Sequence, residues 1–283
     1  MRAHSPGGRA IRDAMSGKKA FPSAVQALLL IVALFGAEIL VSTLLHDAQG
    51  LLNLTSSQAW ALGSLIANGC VFATVTQWQG LTYRDLFHPA GTSMRATATA
   101  IVPWVLTLVP ALVLVNSTLV GVVSQAFPLS DSERAMFERL GGDDLATTLL
   151  GCVIAPVVEE MLFRGVILRG FLQRYDRTHA IWGSALLFGL AHLNIYQFVA
   201  ALCLGAVSGW LYERARSLVP CIALHAAYNT ALWLMGHYQA SAGDADADAP
   251  VSGEFWIASL ALAAVGLLYL KRAFGERDAD SGP

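Results

Sequence analysis

Two adjacent glutamates and an arginine stand in an apolar part of the chain, in the string Val157-Val-Glu159-Glu160-Met-Leu-Phe-Arg164. An ionisable side chain inside a membrane helix costs at least about 2.5 kcal/mol on insertion scales, so each one needs a partner or a function. Glu160 and Arg164 have i,i+4 spacing with the acid first, which favours an ion pair on one helix face. Glu159 points about 100° away and has no such partner. This spacing leaves the carboxylate of Glu159 available for acid–base chemistry, although a purely structural ion-pair cluster is the alternative interpretation.

Two histidines and an asparagine stand in the apolar stretches that follow. His192 ends the string Phe188-Gly-Leu-Ala-His192, and His225 precedes Asn229 with i,i+4 spacing, so the latter two share a helix face. The rise of an α-helix places Glu159, His192 and His225 at similar depths in their helices. Peptide hydrolysis requires a base that deprotonates water and N–H donors that face the developing oxyanion. A carboxylate, two imidazoles and an amide in one buried pocket would supply both.

A metal ion is the rival mechanism for the same residues. Glu159, His192 and His225 offer one oxygen and two nitrogen ligands, a set that suits zinc with an open position for water. The chain contains no HExxH string, so the common arrangement of zinc proteases is absent from the sequence. We favour a metal-free mechanism with no cofactor and keep zinc as the alternative.

The composition indicates that membrane helices position these residues. The chain has 283 residues, of which 55% are hydrophobic and 13% are charged. Soluble domains carry about 25% charged residues, so this chain lacks the charge to cover a water-exposed surface. Its net charge of −2 excludes a strongly basic nucleic-acid binder. We therefore predict an all-α polytopic membrane helix bundle that is embedded in the lipid bilayer and does not bind nucleic acid.

The apolar blocks predict how the chain crosses the membrane, because a bilayer core of about 30 Å requires roughly 20 helical residues. This length predicts eight spans, with Pro103 and Pro110 kinking the third and a surface helix between Ser130 and Asp144. The spans are predicted at 24–46, 58–79, 98–124, 145–169, 180–194, 196–213, 218–239 and 253–271. The predicted domains are a flexible basic N-terminal tail at 1–22, a transmembrane helical domain at 23–272 with a motif-bearing core at 145–240, and a C-terminal tail at 273–283.

The basic residues predict the orientation of these spans. Of the 18 Lys and Arg residues, all except Arg134, Arg139 and Arg164 fall in segments on one side of the eight-span arrangement. Cytoplasmic loops carry the excess of positive charge, so both termini are predicted to be cytoplasmic. The depths of the candidate residues then predict an active site that is accessible from the cytoplasmic side.

Two further polar residues in the first spans receive a structural interpretation. Glu38 and Asn68 are predicted to form hydrogen bonds between helices. Glu38 could also line the same cavity as Glu159, but nothing in the sequence places it there.

The three motif segments together resemble the CAAX-protease and bacteriocin-processing family, also called the abortive-infection family, which carries EExxxR, FxxxH and HxxxN motifs. The resemblance covers about residues 145–240 and implies an intramembrane endopeptidase. It implies that Glu159 and His192 activate the attacking water, that His225 and Asn229 form the oxyanion hole, and that Glu160 and Arg164 are a supporting pair. In the eukaryotic branch the substrate is a prenylated protein, whereas some bacterial members are linked to bacteriocin maturation or immunity. A bacterial plasma membrane is the expected location.

Three other functions were weighed against this one. A non-catalytic membrane scaffold or immunity factor would keep the motifs for stability, and a proton-coupled transporter would use the buried Glu and His as a relay. A serine protease of the rhomboid type requires GxSG, but the nearest string, Ala206-Val-Ser208-Gly209, lacks the first glycine. The first two remain open and serine catalysis is discounted.

Overall fold

The computed structural model describes residues 21–89, 93–140, 144–242 and 251–280, and the regular structure within these ranges is entirely helical. In chain order the helices are α1 (Ala24–Leu52), α2 (Ser56–Gln79), α3 (Tyr83–Phe87), α4 (Met94–Leu106), α5 (Val109–Ala126), α6 (Asp131–Leu140), α7 (Leu145–Phe171), α8 (Arg177–Ala191), α9 (Ile195–Ala215), α10 (Val219–Ala242) and α11 (Gly253–Asp280).

Six of these helices are long and apolar enough to cross a membrane, namely α1, α2, α5, α7, α9 and α11. This finding confirms the predicted fold class, an all-α membrane helix bundle. It does not confirm the number eight. Helix α8 has 15 residues, and α10 has 24 but carries His225, Asn229 and His237, which lower its hydropathy. The count of eight and the orientation of the termini stay predictions.

The third predicted span is interrupted between α4 and α5. Pro103 lies within α4, and Pro110 lies in the first turn of α5, where its missing N–H removes no helical hydrogen bond. The hydroxyl of Thr107 donates to the carbonyl of Trp104, 2.7 Å away, and so satisfies a group at the end of α4. The kink that the two prolines predict is therefore a break between two helices.

Helices α1 and α2 form a hairpin that later supplies one wall of the site. Asn53 ends α1 in the left-handed conformation with φ 52°, and Thr55 caps α2 by accepting from the backbone N–H of Gln58. The hairpin packs closely because a Cβ on Gly63 would lie 2.8 Å from Ser42 Oγ. The glycine thus lets the two helices approach each other.

Helices α8 and α9 form a second closely packed hairpin. A Cβ on Gly205 would lie 3.1 Å from Ala185. Leu193 turns the chain with φ 53°, and the side chain of Asn194 caps α9 by accepting from the backbone N–H groups of Tyr196 and Gln197. This corner confirms the predicted junction near Asn194 and places His192 at the end of α8.

The ends of the chain bear on the predicted tails. Residues 1–20 and 281–283 lie outside the described ranges. Helix α11 continues to Asp280, beyond the predicted boundary at residue 272, and Phe274 within this extension is buried. Pro22 and Phe21 lie against α7, where a Cβ on Gly170 would collide with the carbonyl oxygen of Phe21.

Candidate active site

The pair Glu160–Arg164 lies at the centre of the bundle, as its spacing predicts. Arg164 Nη1 is 3.0 Å from Glu160 Oε1, and both side chains are fully buried. Arg164 Nη2 donates to the carbonyl of Gly205 at 3.0 Å, which ties α7 to α9. A buried charge pair of this kind needs such additional hydrogen bonds to offset its desolvation. The contacts agree with the supporting role that the resemblance implies for this pair.

His225 joins the two glutamates from α10. Its Nδ1 lies 3.0 Å from Glu160 Oε1, and because a carboxylate accepts, this nitrogen carries the proton. The other ring nitrogen, Nε2, lies 3.7 Å from Glu159 Oε2. A ring that donates from both nitrogens is the charged imidazolium, so donation from Nε2 toward a substrate requires the protonated ring. His225 thus stands between a structural carboxylate and the candidate base.

The adjacent glutamates differ in exposure, which separates their roles. The side chain of Glu160 is 0% exposed, whereas that of Glu159 is 30% exposed. The helical geometry predicts this division, since successive residues on a helix face different neighbours. The accessible carboxylate is therefore that of Glu159.

Phe188 packs between the charged residues of the site. Its ring lies 4.7 Å from Arg164 Cζ, in a cation–π arrangement, and its centroid is 5.0 Å from that of His192 and 5.7 Å from that of His225. Phe188 is the aromatic residue of the FxxxH motif, and the sequence alone gives it no role. The structure shows that this aromatic ring fixes the spacing of three polar side chains.

His192 is held in one tautomer by its own helix. Its Nδ1 is 2.9 Å from the backbone carbonyl of Phe188, and a carbonyl only accepts, so Nδ1 donates. In the neutral ring Nε2 is then the nitrogen with a free lone pair. This arrangement leaves Nε2 to accept a proton or a hydrogen bond from water.

Asn229 contacts α7 through a carbonyl that the helix itself does not use. The N–H of Ala155 bonds to the carbonyl of Leu150, five residues back, and Pro156 has no N–H. Neither residue therefore donates to Gly151, whose carbonyl accepts instead from Asn229 Nδ2 at 2.8 Å. The wide π-helical turn at Leu150–Ile154 is what exposes this acceptor. Asn229 thereby fixes α10 against α7.

A cavity of about 130 Å³ lies beside these residues. Glu159 and His192 line it, together with apolar side chains of α1, α7 and α8, whereas His225 and Asn229 are not among the described residues that do. Of the four predicted catalytic residues, two therefore share the cavity. His225 Nε2 lies 3.7 Å from Glu159 Oε2 although His225 does not line the cavity. The amide nitrogen of Asn229 donates to the carbonyl of Gly151.

The α1–α2 hairpin supplies the opposite wall of the cavity through Glu38, Ser64 and Asn68. Asn68 Nδ2 donates to Glu38 Oε1 at 2.8 Å, and Ser64 Oγ donates to the same oxygen at 3.3 Å. The predicted interhelical hydrogen bond is confirmed, and Glu38 also lines the cavity that contains Glu159, a position that the sequence left open. A carboxylate in an otherwise apolar span is the one sequence feature that could have indicated it.

The zinc alternative was compared with the same geometry. Across the described ranges, no three His, Cys, Asp or Glu side chains are arranged as ligands of one metal ion. The arrangement of Glu159, His192 and His225 therefore does not fit a three-ligand site as it stands.

A surface helix borders the site at the corner between α8 and α9. Ser130 and Glu133 form the predicted cap of α6, with Ser130 Oγ 2.6 Å from Glu133 Oε2. Asn194 Nδ2 donates to Glu133 Oε1 at 3.2 Å. The Ser130 hydroxyl and backbone N–H, and to a smaller extent Asn194, hold the pKa of Glu133 below its ordinary value. The carboxylate of Glu133, which accepts from Asn194, thus attaches α6 to the corner that follows His192.

The fold and site define an integral membrane helix bundle with a buried Glu–Arg–His network beside a cavity that contains a carboxylate and an imidazole. Residues 142–231 match the family model described as type II CAAX prenyl endopeptidase Rce1-like. This segment contains all of the motif residues, so the match confirms, for the part of the chain that carries them, the CAAX-protease family that the motifs indicate. Comparison with curated proteins and with solved structures found no match.

Proposed function

We propose that the protein is an intramembrane endopeptidase that hydrolyses a peptide bond of a membrane-associated protein or peptide. The observation that carries the proposal is the cavity that Glu159 and His192 share. Such a cavity brings a carboxylate base and an imidazole acceptor to one space, where a water molecule and a peptide carbonyl can meet.

Glu159 is the general base in this mechanism. Its carboxylate takes a proton from water while His192 Nε2 accepts the second hydrogen bond of the same water and orients it. The hydroxide adds to the carbonyl carbon and forms a tetrahedral oxyanion. As the C–N bond breaks, the proton held by Glu159 passes to the leaving amine nitrogen, so that a carboxylic acid and an amine are released.

His225 and Asn229 are the proposed oxyanion donors. The protonated ring of His225 donates from Nε2, the nitrogen that lies 3.7 Å from Glu159 Oε2. Asn229 holds α10 in register through Gly151, and its side-chain amide has a second N–H for the substrate. Glu160 and Arg164 position His225 and α7 without contacting the substrate.

The proposed location is a bacterial plasma membrane, with both termini and the entrance of the site on the cytoplasmic side. The distribution of Lys and Arg supports this orientation. The substrate class is a membrane-associated chain, which includes prenylated proteins of the CAAX type.

Glu159→Gln tests the proposal. We expect the purified protein in detergent to cleave membrane-associated peptides, and expect Glu159→Gln, His192→Ala and His225→Ala each to abolish cleavage while the protein remains folded. The matched control is Glu254→Gln, the same substitution at an exposed position in the first turn of α11, which should leave activity unchanged. Full activity in any of the three site variants would refute the assignment.

Three experiments distinguish the alternative functions and mechanisms. A scaffold would tolerate Glu159→Gln in its cellular role, and a transporter would show substrate-dependent proton flux in liposomes. Activity that disappears with a strong chelator and returns with zinc would replace the metal-free mechanism by the zinc mechanism.

Asn229→Ala is expected to retain measurable activity. Loss of one oxyanion donor costs about 10²- to 10³-fold in rate, less than loss of the base. Steady-state kinetics of Asn229→Ala beside Glu159→Gln provides the comparison, and equal activity of Asn229→Ala and the wild type would remove Asn229 from the oxyanion hole.

A further inference from the structure

Glu38 faces the reaction cavity from a part of the chain that the motifs do not include. It lies on α1, and the cavity that it lines also contains Glu159 and His192. Glu38 is therefore near enough to the proposed reaction centre to act on a bound substrate.

The hydrogen bonds of Glu38 orient one oxygen and leave the other available. Both Asn68 and Ser64 donate to Oε1. None of the hydrogen bonds found among the described residues ends on Oε2. A carboxylate that is held by one oxygen is pre-organised to accept from a ligand with the other, which reduces the entropy cost of binding.

The charge balance of the cavity indicates what kind of ligand suits it. Its polar lining includes two carboxylates and one imidazole, and none of the described residues that line it is Lys or Arg. Most of the remaining lining is apolar, and charges interact more strongly in such surroundings than in water. A substrate group that carries a positive charge is complementary to this lining.

We propose that Glu38 is a specificity-determining residue that binds a positively charged substrate side chain, Lys or Arg, next to the peptide bond that is cleaved. The cavity of about 130 Å³ has room for the end of one such side chain but not for a folded segment. The inference rests on the proposed function. It adds a preference for a cationic residue to the hydrolytic role of Glu159.

The experiment uses pairs of peptides that differ by a single charge. Peptides anchored in liposomes carry Lys, norleucine or Glu at each position that flanks a cleaved bond, and cleavage by the full-length protein is followed by mass spectrometry. Norleucine has nearly the same shape as Lys without its charge. The variants are Glu38→Gln, whose amide oxygen still accepts from Asn68, and Glu254→Gln as the exposed control.

At one flanking position, we expect the wild type to cleave the Lys peptide with a KM about 10- to 100-fold lower than that of the norleucine peptide, since a hydrogen bond to a charged group contributes that much. Glu38→Gln should remove this difference by raising KM for the Lys peptide, with a smaller change in kcat. Glu254→Gln should keep the wild-type preference.

Three outcomes would overturn the inference. Equal KM values for Lys and norleucine at every position would show that the cavity does not select charge, and an unchanged preference in Glu38→Gln would assign the preference to another residue. A parallel loss of kcat for all three peptides would make Glu38 a structural residue. If instead the wild type cleaves no peptide, or Glu159→Gln cleaves as well as the wild type, the proposed function itself fails.

Discussion

At the scale of single residues, one oxygen of Glu160 binds both an arginine and a histidine of the site. This oxygen, Oε1, receives Arg164 and His225, while Glu160 Oε2 and Arg164 Nε are buried without a hydrogen bond among the described residues. The pair is therefore not fully satisfied. Its main effect is to hold His225 in position, because the desolvation of the two charges offsets much of their attraction.

Removing one member of this pair should destabilise the protein strongly. Glu160→Ala leaves the guanidinium of Arg164 buried without its acid, which costs about 3–5 kcal/mol. The double variant Glu160→Leu/Arg164→Met should recover much of this loss, because it removes both charges. Thermal unfolding in detergent measures the difference. Cleavage should stay absent in both variants, because His225 has lost the acceptor that orients it.

At the scale of helices, the deviation of α7 from regular α-helix explains why Asn229 is needed. The carbonyl of Gly151 lacks a helical donor because Ala155 bonds further back and residue 156 is proline. Gly151 is exposed at the surface of the bundle, and a backbone carbonyl that lacks a donor costs free energy in a membrane, where no water replaces the donor. The asparagine side chain offsets that cost from another helix.

A double-mutant cycle tests this relation. Asn229→Ala should destabilise the wild type by about 0.5–1.5 kcal/mol, the net contribution of one ordinary hydrogen bond. It should destabilise Pro156→Ala less, because the new N–H at residue 156 gives the exposed turn of α7 a donor of its own. Unfolding free energies of the four proteins in detergent measure the coupling. Strictly additive effects would contradict this explanation of the contact.

The attachment of α6 should depend on pH. The pKa of Glu133 is lowered in the folded protein from its ordinary value of 4.5, mainly by the Ser130 hydroxyl, so its contribution is complete above 4.5 and is lost as the pH falls through the lowered value. We expect lower hydrogen-exchange protection factors in α6, corrected for the intrinsic rate at each pH, below this pH than at pH 7. Glu133→Gln should show low protection factors at both values, and an unchanged profile in the variant would show that another group holds α6.

At the scale of the whole molecule, the orientation is open to a direct test. The positive-inside rule predicts that both termini are cytoplasmic. The predicted count of eight spans is consistent with this, because an even number of spans leaves both termini on the same side of the membrane. Reporter fusions after Asp280 and single cysteines in the segment that precedes α11 should report opposite sides of the membrane. Labelling of both from one side would refute the predicted topology.

How much of this organisation the sequence predicts depends on the distance between the interacting residues. The Glu160–Arg164 ion pair can be predicted because its members are one helical turn apart in the chain. The capping of α6 by Ser130 can be predicted because Ser130 and Glu133 are three residues apart. The contact of Asn229 with Gly151 and the approach of Glu38 to Glu159 join residues far apart in the chain. Helical periodicity shows which face is polar, but it does not show which helix that face meets.

The two walls of the cavity come from separate parts of the chain. Glu159 and His192 lie within the matched segment 142–231, while Glu38 lies on α1, outside it. Substitutions on α1 can therefore change what is recognised while the hydrolytic residues remain untouched. For protein engineering, this separation makes α1 the helix to vary: if the proposed function holds, libraries randomised at Phe35 and Glu38 should change the substrate preference while Glu159 and His192 stay in place.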